Sequence, residues 1–187
     1  MDGATAARQW LVNRIDRQIS DSVRSLLSAM AVDLAVAAAS AVTVRMLSAD
    51  GQWLFPVAAH HPDPTIEAAM TAVMDDTAQR TTSGLWGRVC EQRRPVRWHV
   101  PPEHIPAEAS AAQAEFMRRY PIRAVLGAPL ISHGRLLGGA ALVRYVVDRE
   151  FTDDDEAMLC NFGVRAALVL DCLRTVCDVS AHSDERP

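Results

Sequence analysis

Residues 125–156 read VLGAPLISHGRLLGGAALVRYVVDREFTDDDE. Two apolar runs, Val125 to Ile131 and Leu136 to Tyr145, flank Ser132-His133-Gly134-Arg135, which reads as a β-hairpin with Gly134 at a positive-φ turn position. A helix begins after Phe151. Thr152 is its expected N-cap, and Asp155, three residues on, completes the acidic form of a capping box. Asp153, Asp154 and Glu156 add negative charge where the helix dipole is positive.

Along that helix Leu159, Phe162, Ala166, Val169, Leu173 and Val176 alternate steps of three and four. The spacing fits a seam between two helices, and equally a stripe laid on the sheet of the same chain. Working back to the other end, no Gly or Pro interrupts residues 6–39, and Val12, Ile15, Ile19, Val23, Leu26 and Met30 recur at helical spacing. The first half is a narrow seam flanked by charges, suited to pairing with another helix, and the Ala-rich residues 29–39 suggest a second, more buried helix. The period then changes to two: Val42, Val44 and Met46, a turn at Ser48-Ala49-Asp50-Gly51, and Trp53 to Ala59 form a first hairpin. Pro62, Asp63 and Pro64 stop it and open a helix over residues 65–74. A short helix follows at residues 85–92, a strand at 95–100, and a Pro-bounded variable segment, 101–122, with a helix near 110–119.

The chain has 187 residues, 49% of them hydrophobic and 22% charged, which suits one globular domain with a real core. Its net charge of −4 gives no overall field for a polyanion, so neither DNA nor RNA is an expected partner. All 19 basic residues are Arg. No apolar run reaches the roughly 18 residues that span a bilayer, and no signal peptide opens the sequence, so the expectation is a cytoplasmic protein without a membrane partner. Cys90, Cys160, Cys172 and Cys177 form no C-x-x-C pair and suggest neither a disulfide framework nor a zinc site; no metal or other cofactor is indicated.

Three motifs in order carry a family resemblance. Ser83-Gly84-Leu85-Trp86-Gly87-Arg88-Val89 followed by Arg94-Pro95-Val96, then Ala128-Pro129-Leu130 with Gly134 and Leu137-Gly138-Gly139-Ala140-Ala141-Leu142, then Phe151-Thr152-Asp153-Asp154-Asp155-Glu156, together resemble the GAF domain family, in its sensory and regulatory actinobacterial form. The resemblance covers roughly residues 20–178. It implies an α+β fold of GAF/PAS type: a central antiparallel sheet flanked by helices, with the N- and C-terminal helices packed together on one face. The expected division is a dimerising helical segment at 1–40, a GAF core including the last helix at 41–178, and a disordered tail at 179–187.

The same resemblance frames the chemistry. Family members that reduce free methionine sulfoxide carry a Cys in the glycine-rich element where this chain has Trp86, and no Cys occurs between Glu91 and Ala157, so no enzymatic activity is expected. Ala112 and Gln113 stand where bilin-binding relatives have a Cys-His pair. Haem-binding relatives have a His before the run that here reads Arg118-Arg119-Tyr120-Pro121-Ile122-Arg123; only His99 and His104 lie nearby, so haem or redox sensing is a rival reading. Seven arginines against four acids fall between Arg88 and Arg123. The ligand site expected by this reading is Arg97, Trp98, Phe116, Arg118, Arg119, Tyr120 and Arg123, taking a small anionic or aromatic molecule. A solvated arginine face is the alternative. A homodimer through Ile15, Ile19, Leu26, Leu173 and Val176 is expected, coupled to an associated kinase, cyclase, phosphatase or transcriptional effector. A ligand-free docking module is the other outcome, favoured if the pocket is filled by its own Trp, Phe and Met side chains.

Overall fold

The computed structural model describes residues 3–74, 77–101, 104–105, 109, 111–145 and 149–183, with the backbone alone for 3–19, 74 and 173–183. In chain order the elements are α1 (Gly3–Ala38), β1 (Ala41–Leu47), β2 (Trp53–His60), α2 (Pro64–Met74), β3 (Gln79–Arg80), α3 (Gly84–Gln92), β4 (Val96–His99), α4 (Ala111–Arg119), β5 (Ile122–Ser132), β6 (Arg135–Tyr145) and α5 (Asp153–Ser183). The strands make one antiparallel sheet in the order β3-β2-β1-β6-β5-β4. β3, two residues pairing with Trp53 and Leu54, is too short for any alternation to announce it.

Because successive strand residues point to opposite faces, each strand supplies two layers. The first face carries Val42, Val44, Leu126 and Leu142 and is covered by α1, through Leu27 and Leu34, and by α5, through Leu159, Phe162 and Leu170. The second face carries Ala41, Leu54, Val125 and Val143 and is covered by Met70 of α2 and by Leu85, Trp86 and Val89 of α3, with Phe116 of α4 packed against them.

α1 is one helix where a break near residue 29 was expected, since nothing in the Ala-rich stretch removes a backbone hydrogen bond. It ends in a Schellman-type turn: Ser40 N–H donates to Ala35 O at 3.2 Å, Ala39 N–H to Val36 O at 3.3 Å, and Ala39 adopts φ +45°. Its second half belongs to the same core as the sheet, so residue 40 does not separate two packing units. α5 starts as its capping box requires: Thr152 N–H donates to Asp155 Oδ2 at 2.8 Å and Asp155 N–H to Thr152 Oγ1 at 3.2 Å. It continues to Ser183, past the tail boundary expected at Asp178.

The C-terminal seam faces inward as far as its side chains are described. Leu159, Phe162 and Ala166 are buried and Val169 packs against the same core. Of the expected interface residues, Ile15, Ile19, Leu173 and Val176 lie outside the described side chains, and Leu26 is 50% exposed.

Arg144, the last polar residue of β6 on the first face, binds the helical layer to the sheet. Its guanidinium donates to Asp155 Oδ2 at 3.1 Å, Ser40 Oγ at 3.3 Å and the carbonyls of Arg149 and Glu150 at 3.1 and 2.6 Å, and it lies 4.0 Å from the centre of the Phe151 ring. Burial alone pushes the Asp155 carboxyl up, but hydrogen bonds from Thr152 and Arg144 outweigh it and leave the pKa below the ordinary carboxylate value.

Candidate functional site on the second face

α3 approaches the sheet over Gly139, where a Cβ would run into the Trp86 ring, and over Gly127, where one would press on Leu85 and Val89; a Cβ on Gly138 would instead run into the Arg45 carbonyl of β1. The indole therefore rests directly on β6. Two more glycines shape the start of α3: Gly84 has φ +59°, and a Cβ on Gly87 would stand 2.9 Å from the carbonyl carbon of Thr82. The glycine-rich element thus sets how close α3 comes to the sheet and what its third residue fills.

Beyond Trp86 the layer is aromatic and sulfur-rich. Tyr145 is buried, its hydroxyl donates to Met70 Sδ at 3.6 Å, and its ring centre lies 5.6 Å from Phe116 and 5.7 Å from His61. Burial pushes the Tyr145 phenol up, with the nearby Arg45 charge opposing, so it stays protonated at neutral pH. Arg45 is itself buried on this face; it donates to Thr77 O at 2.7 Å and Leu54 O at 3.4 Å. Burial lowers its pKa to about 10, which leaves it charged near neutrality. His61 Nδ1 accepts the Asp63 N–H at 2.8 Å, and burial, ahead of opposing carboxylates, lowers its pKa.

The structure divides the seven expected ligand residues. Phe116, Tyr120 and Trp98 do pack on this face, with the Phe116 and Tyr120 ring centres 5.2 Å apart. Arg123 is the unpaired residue at an irregularity in the β5–β6 pairing, between Ile122, which packs on this face, and Ala124, which belongs to the first-face core. Its buried Nε–H has no hydrogen-bond partner, the one such buried side-chain atom among the described residues. Arg119 lies 5.4 Å over the Tyr120 ring from the solvent side, and Arg118 is exposed.

Arg97 belongs elsewhere. β4 alternates, so Val96 and Trp98 face the second layer while Arg97 faces α5, where it pairs with Asp153 at 2.6 Å and Glu156 at 2.9 Å. His99 is likewise exposed at the edge strand, and His104 meets Trp98 edge-on at 5.4 Å. The arginine window is therefore not one cluster: Arg93 donates to Gly134 O at the β5–β6 turn and Arg88 lies 5.6 Å from the Trp98 ring centre. A groove of about 580 Å³ opens between α3 and the ends of β1 and β6, lined by Leu47, Thr82, Arg88, Glu91 and Leu136; none of the seven residues lines it. Arg45, Met70, Tyr145 and His61 were missed in the sequence. Arg45 carried a signal, a charge inside an otherwise apolar strand.

The thiols are dispersed. Cys90 is half-buried on α3, Cys160 half-buried and Cys172 exposed on α5, across the sheet. Burial raises the pKa of both Cys90 and Cys160, with Glu156 adding to the shift at Cys160.

A model of the GAF domain family matches residues 15–170, from the first half of α1 well into α5. No match was found among curated proteins. Similar solved structures include the GAF domain of a phosphoenolpyruvate-protein phosphotransferase from Coxiella burnetii, at 17% identity over 89% of this chain and 96% of that one, TM-score 0.64. The second GAF domain of DevS from Mycobacterium smegmatis is similar at 18% identity over 83% and 96%, TM-score 0.57. A type II free methionine-R-sulfoxide reductase from Thermoplasma acidophilum is similar at 16% identity over 81% and 94%, TM-score 0.57. The chain belongs to the GAF domain family, whose members are typically sensory or regulatory modules of signalling proteins. Among the described residues no helix is long and apolar enough to cross a membrane.

Proposed function

We propose that this GAF domain is a non-catalytic regulatory module that pairs with a second copy of itself through the outer surface of α1 and α5 and passes its state to an associated signalling effector. The observation that carries this reading is the apolar side chains left on that surface: Leu26 and Val36 of α1 are 50% and 67% exposed, Val164 and Leu168 of α5 63% and 53%. Four large aliphatic residues on the outside of two adjacent helices are a surface that a second copy can cover by symmetric helix packing. The reductase reading is disfavoured because α3 and α5 place their thiols on opposite sides of the sheet, and burial of Cys90 works against the thiolate such chemistry needs. Light scattering of the unmodified chain at concentrations on the order of tens of micromolar should give a dimer. Val164→Asp with Leu168→Asp should give a monomer of unchanged helicity, and a monomeric unmodified chain would end the reading.

A second reading is favoured by one atom. The unsatisfied Arg123 Nε–H, next in the chain to Ile122 of the second-face core, supports a small anionic or aromatic ligand at this end of the sheet. Thermal-shift screening against nucleotides, aromatic acids and dicarboxylates tests it. A hit whose affinity does not change in Arg123→Ala returns this end of the face to ordinary surface.

A further inference from the structure

Ser132, His133 and Asp171 come together at the β5–β6 turn. Ser132 is buried and its hydroxyl donates to Asp171 Oδ2 at 3.1 Å; His133 Nδ1 lies 3.0 Å from that hydroxyl and 3.4 Å from the same carboxylate oxygen. A nucleophile relay needs the two imidazole nitrogens to face different partners, and here one nitrogen faces both, so the cluster is not a catalytic triad. Arg135 donates to Asp171 Oδ1 at 2.5 Å. Both carboxylate oxygens of this α5 residue are therefore held by residues of the turn.

α3, on the other side of the sheet, holds the same turn. Arg93 ends that helix in the left-handed conformation, with φ +50° and its N–H bonded to Val89 O at 3.0 Å, and its guanidinium donates to Gly134 O at 3.1 Å. Between the two grips His133 and Gly134 have φ +50° and +74°, as a two-residue type I′ turn requires, and Ser132 pairs with Arg135. A turn so constrained moves as one piece. Its attachment to α5 is also well placed: among the described side chains Leu170 is the last of that helix in the first-face core, and the helix runs on to Ser183. Asp171 thus stands where α5 leaves the sheet. α3, at the other end of the link, has the groove of about 580 Å³ along its side.

We propose that the β5–β6 turn is a rigid link between the two faces: a shift of α3 is carried through Arg93 and Gly134 to Ser132 and Arg135, and from them through Asp171 to the outgoing part of α5. This rests on the reading that α5 passes the state of the domain to an effector. A link of this kind couples in both directions, so loosening either helix end loosens the other.

The test is amide hydrogen exchange on the full chain. Arg93→Gly suits the left-handed φ, so it cuts the guanidinium contact while keeping the helix end. It should speed exchange severalfold at residues 168–175 of α5, across the sheet, and leave β1 unchanged. Asp171→Ala should do the same in α5 and also speed exchange at residues 89–93, at the end of α3. The two substitutions cut one link in series, so together they should loosen α5 no more than Asp171→Ala alone. If Asp171→Ala does not fold, Asp171→Asn, which keeps an acceptor but drops the charge, should give a smaller effect at the same places. Changes confined to the mutated side, or faster exchange throughout the sheet including β1, overturn the proposal. Light scattering on the same samples reads the dimer separately: a dimer whose helices do not respond to one another overturns the link alone, and a monomer with coupled helices overturns the dimer alone.

Discussion

The two faces of the sheet are closed in different ways. On the first, two long helices lay aliphatic stripes over Val42, Val44, Leu126 and Leu142, and a buried ion pair, Arg144 with Asp155, fixes where α5 begins. On the second, three short helices contribute Met70, then Leu85, Trp86 and Val89, then Phe116, to a core shared with Tyr145, and Gly127 and Gly139 set how close α3 comes. The first face distributes its packing over many interchangeable aliphatic contacts, so its specificity is concentrated in one polar junction. The second relies on fewer and larger side chains, and the seat of one of them, Trp86, depends on the absence of a Cβ at Gly139.

If that contrast is right, the largest effect comes from the polar junction. Arg144→Met keeps apolar length but strands Asp155, whose side chain is only 10% exposed, and should cost about 3–5 kcal/mol in urea unfolding. The acid limb sharpens the test. The folded-state pKa of Asp155 is depressed, so its contribution to stability is complete above the unfolded value near pH 4 and is lost as pH falls through the folded value. The gap between Arg144→Met and the unmodified chain should therefore narrow below about pH 4. A gap that stays constant with pH would mean that the junction is held by shape rather than charge.

Next in size is the contact of Trp86 with Gly139. Gly139→Ala puts a methyl group into the Trp86 ring and should cost about 1–3 kcal/mol, as overpacking does in a filled core. Coupling it to Trp86→Ala removes the collision, so the pair should be less destabilising than the sum of the singles. Strict additivity would show that the indole moves aside, and that the second face is looser than the first.

The first face was far more legible in the sequence than the second, and the reason is physical. Long helices and hairpins repeat their signal: residues 6–39 carry the helical period over many turns, and Thr152 with Asp155 spells the start of α5. What periodicity leaves open is the partner, since Leu159, Phe162 and Ala166 at helical spacing suit a foreign helix as well as the sheet they lie on. The second face depends on contacts between residues far apart in the chain, such as Trp86 on Gly139 or Tyr145 to Met70, which no local pattern encodes. One part is readable in the pattern itself: strand alternation across Val96, Arg97, Trp98 and His99 puts Arg97 and Trp98 on opposite faces although both fall in one arginine-rich window.

A smaller effect is expected at the cap of α5. Thr152→Ala removes the hydroxyl that accepts the Asp155 N–H and donates to Asp155 Oδ2, and should cost about 1 kcal/mol. Arg144 still holds Asp155, so helicity should survive, and a loss as large as that of Arg144→Met would place the specificity of the junction in the cap.

The smallest effect belongs to the other arginine that reaches α5. Arg97 binds the same first turn of the helix as Arg144 but from outside: its side chain is 39% exposed and its partner Asp153 is 97% exposed. The hydrogen bond to Asp153 raises its pKa, yet in solvent such a pair is screened, and holding two long side chains together costs entropy. Arg97→Ala should therefore destabilise by no more than about 1 kcal/mol at low salt, and the difference should fade in molar salt, where the Debye length drops to about 3 Å. Arg144→Met, acting in a site from which ions are excluded, should keep most of its cost under the same conditions. Two arginines on one helical turn would then differ severalfold in effect because one is dry and the other is not. A salt-independent cost at Arg97 comparable to that at Arg144 would contradict this, and would mean that β4 is clamped to α5 as firmly as β6 is.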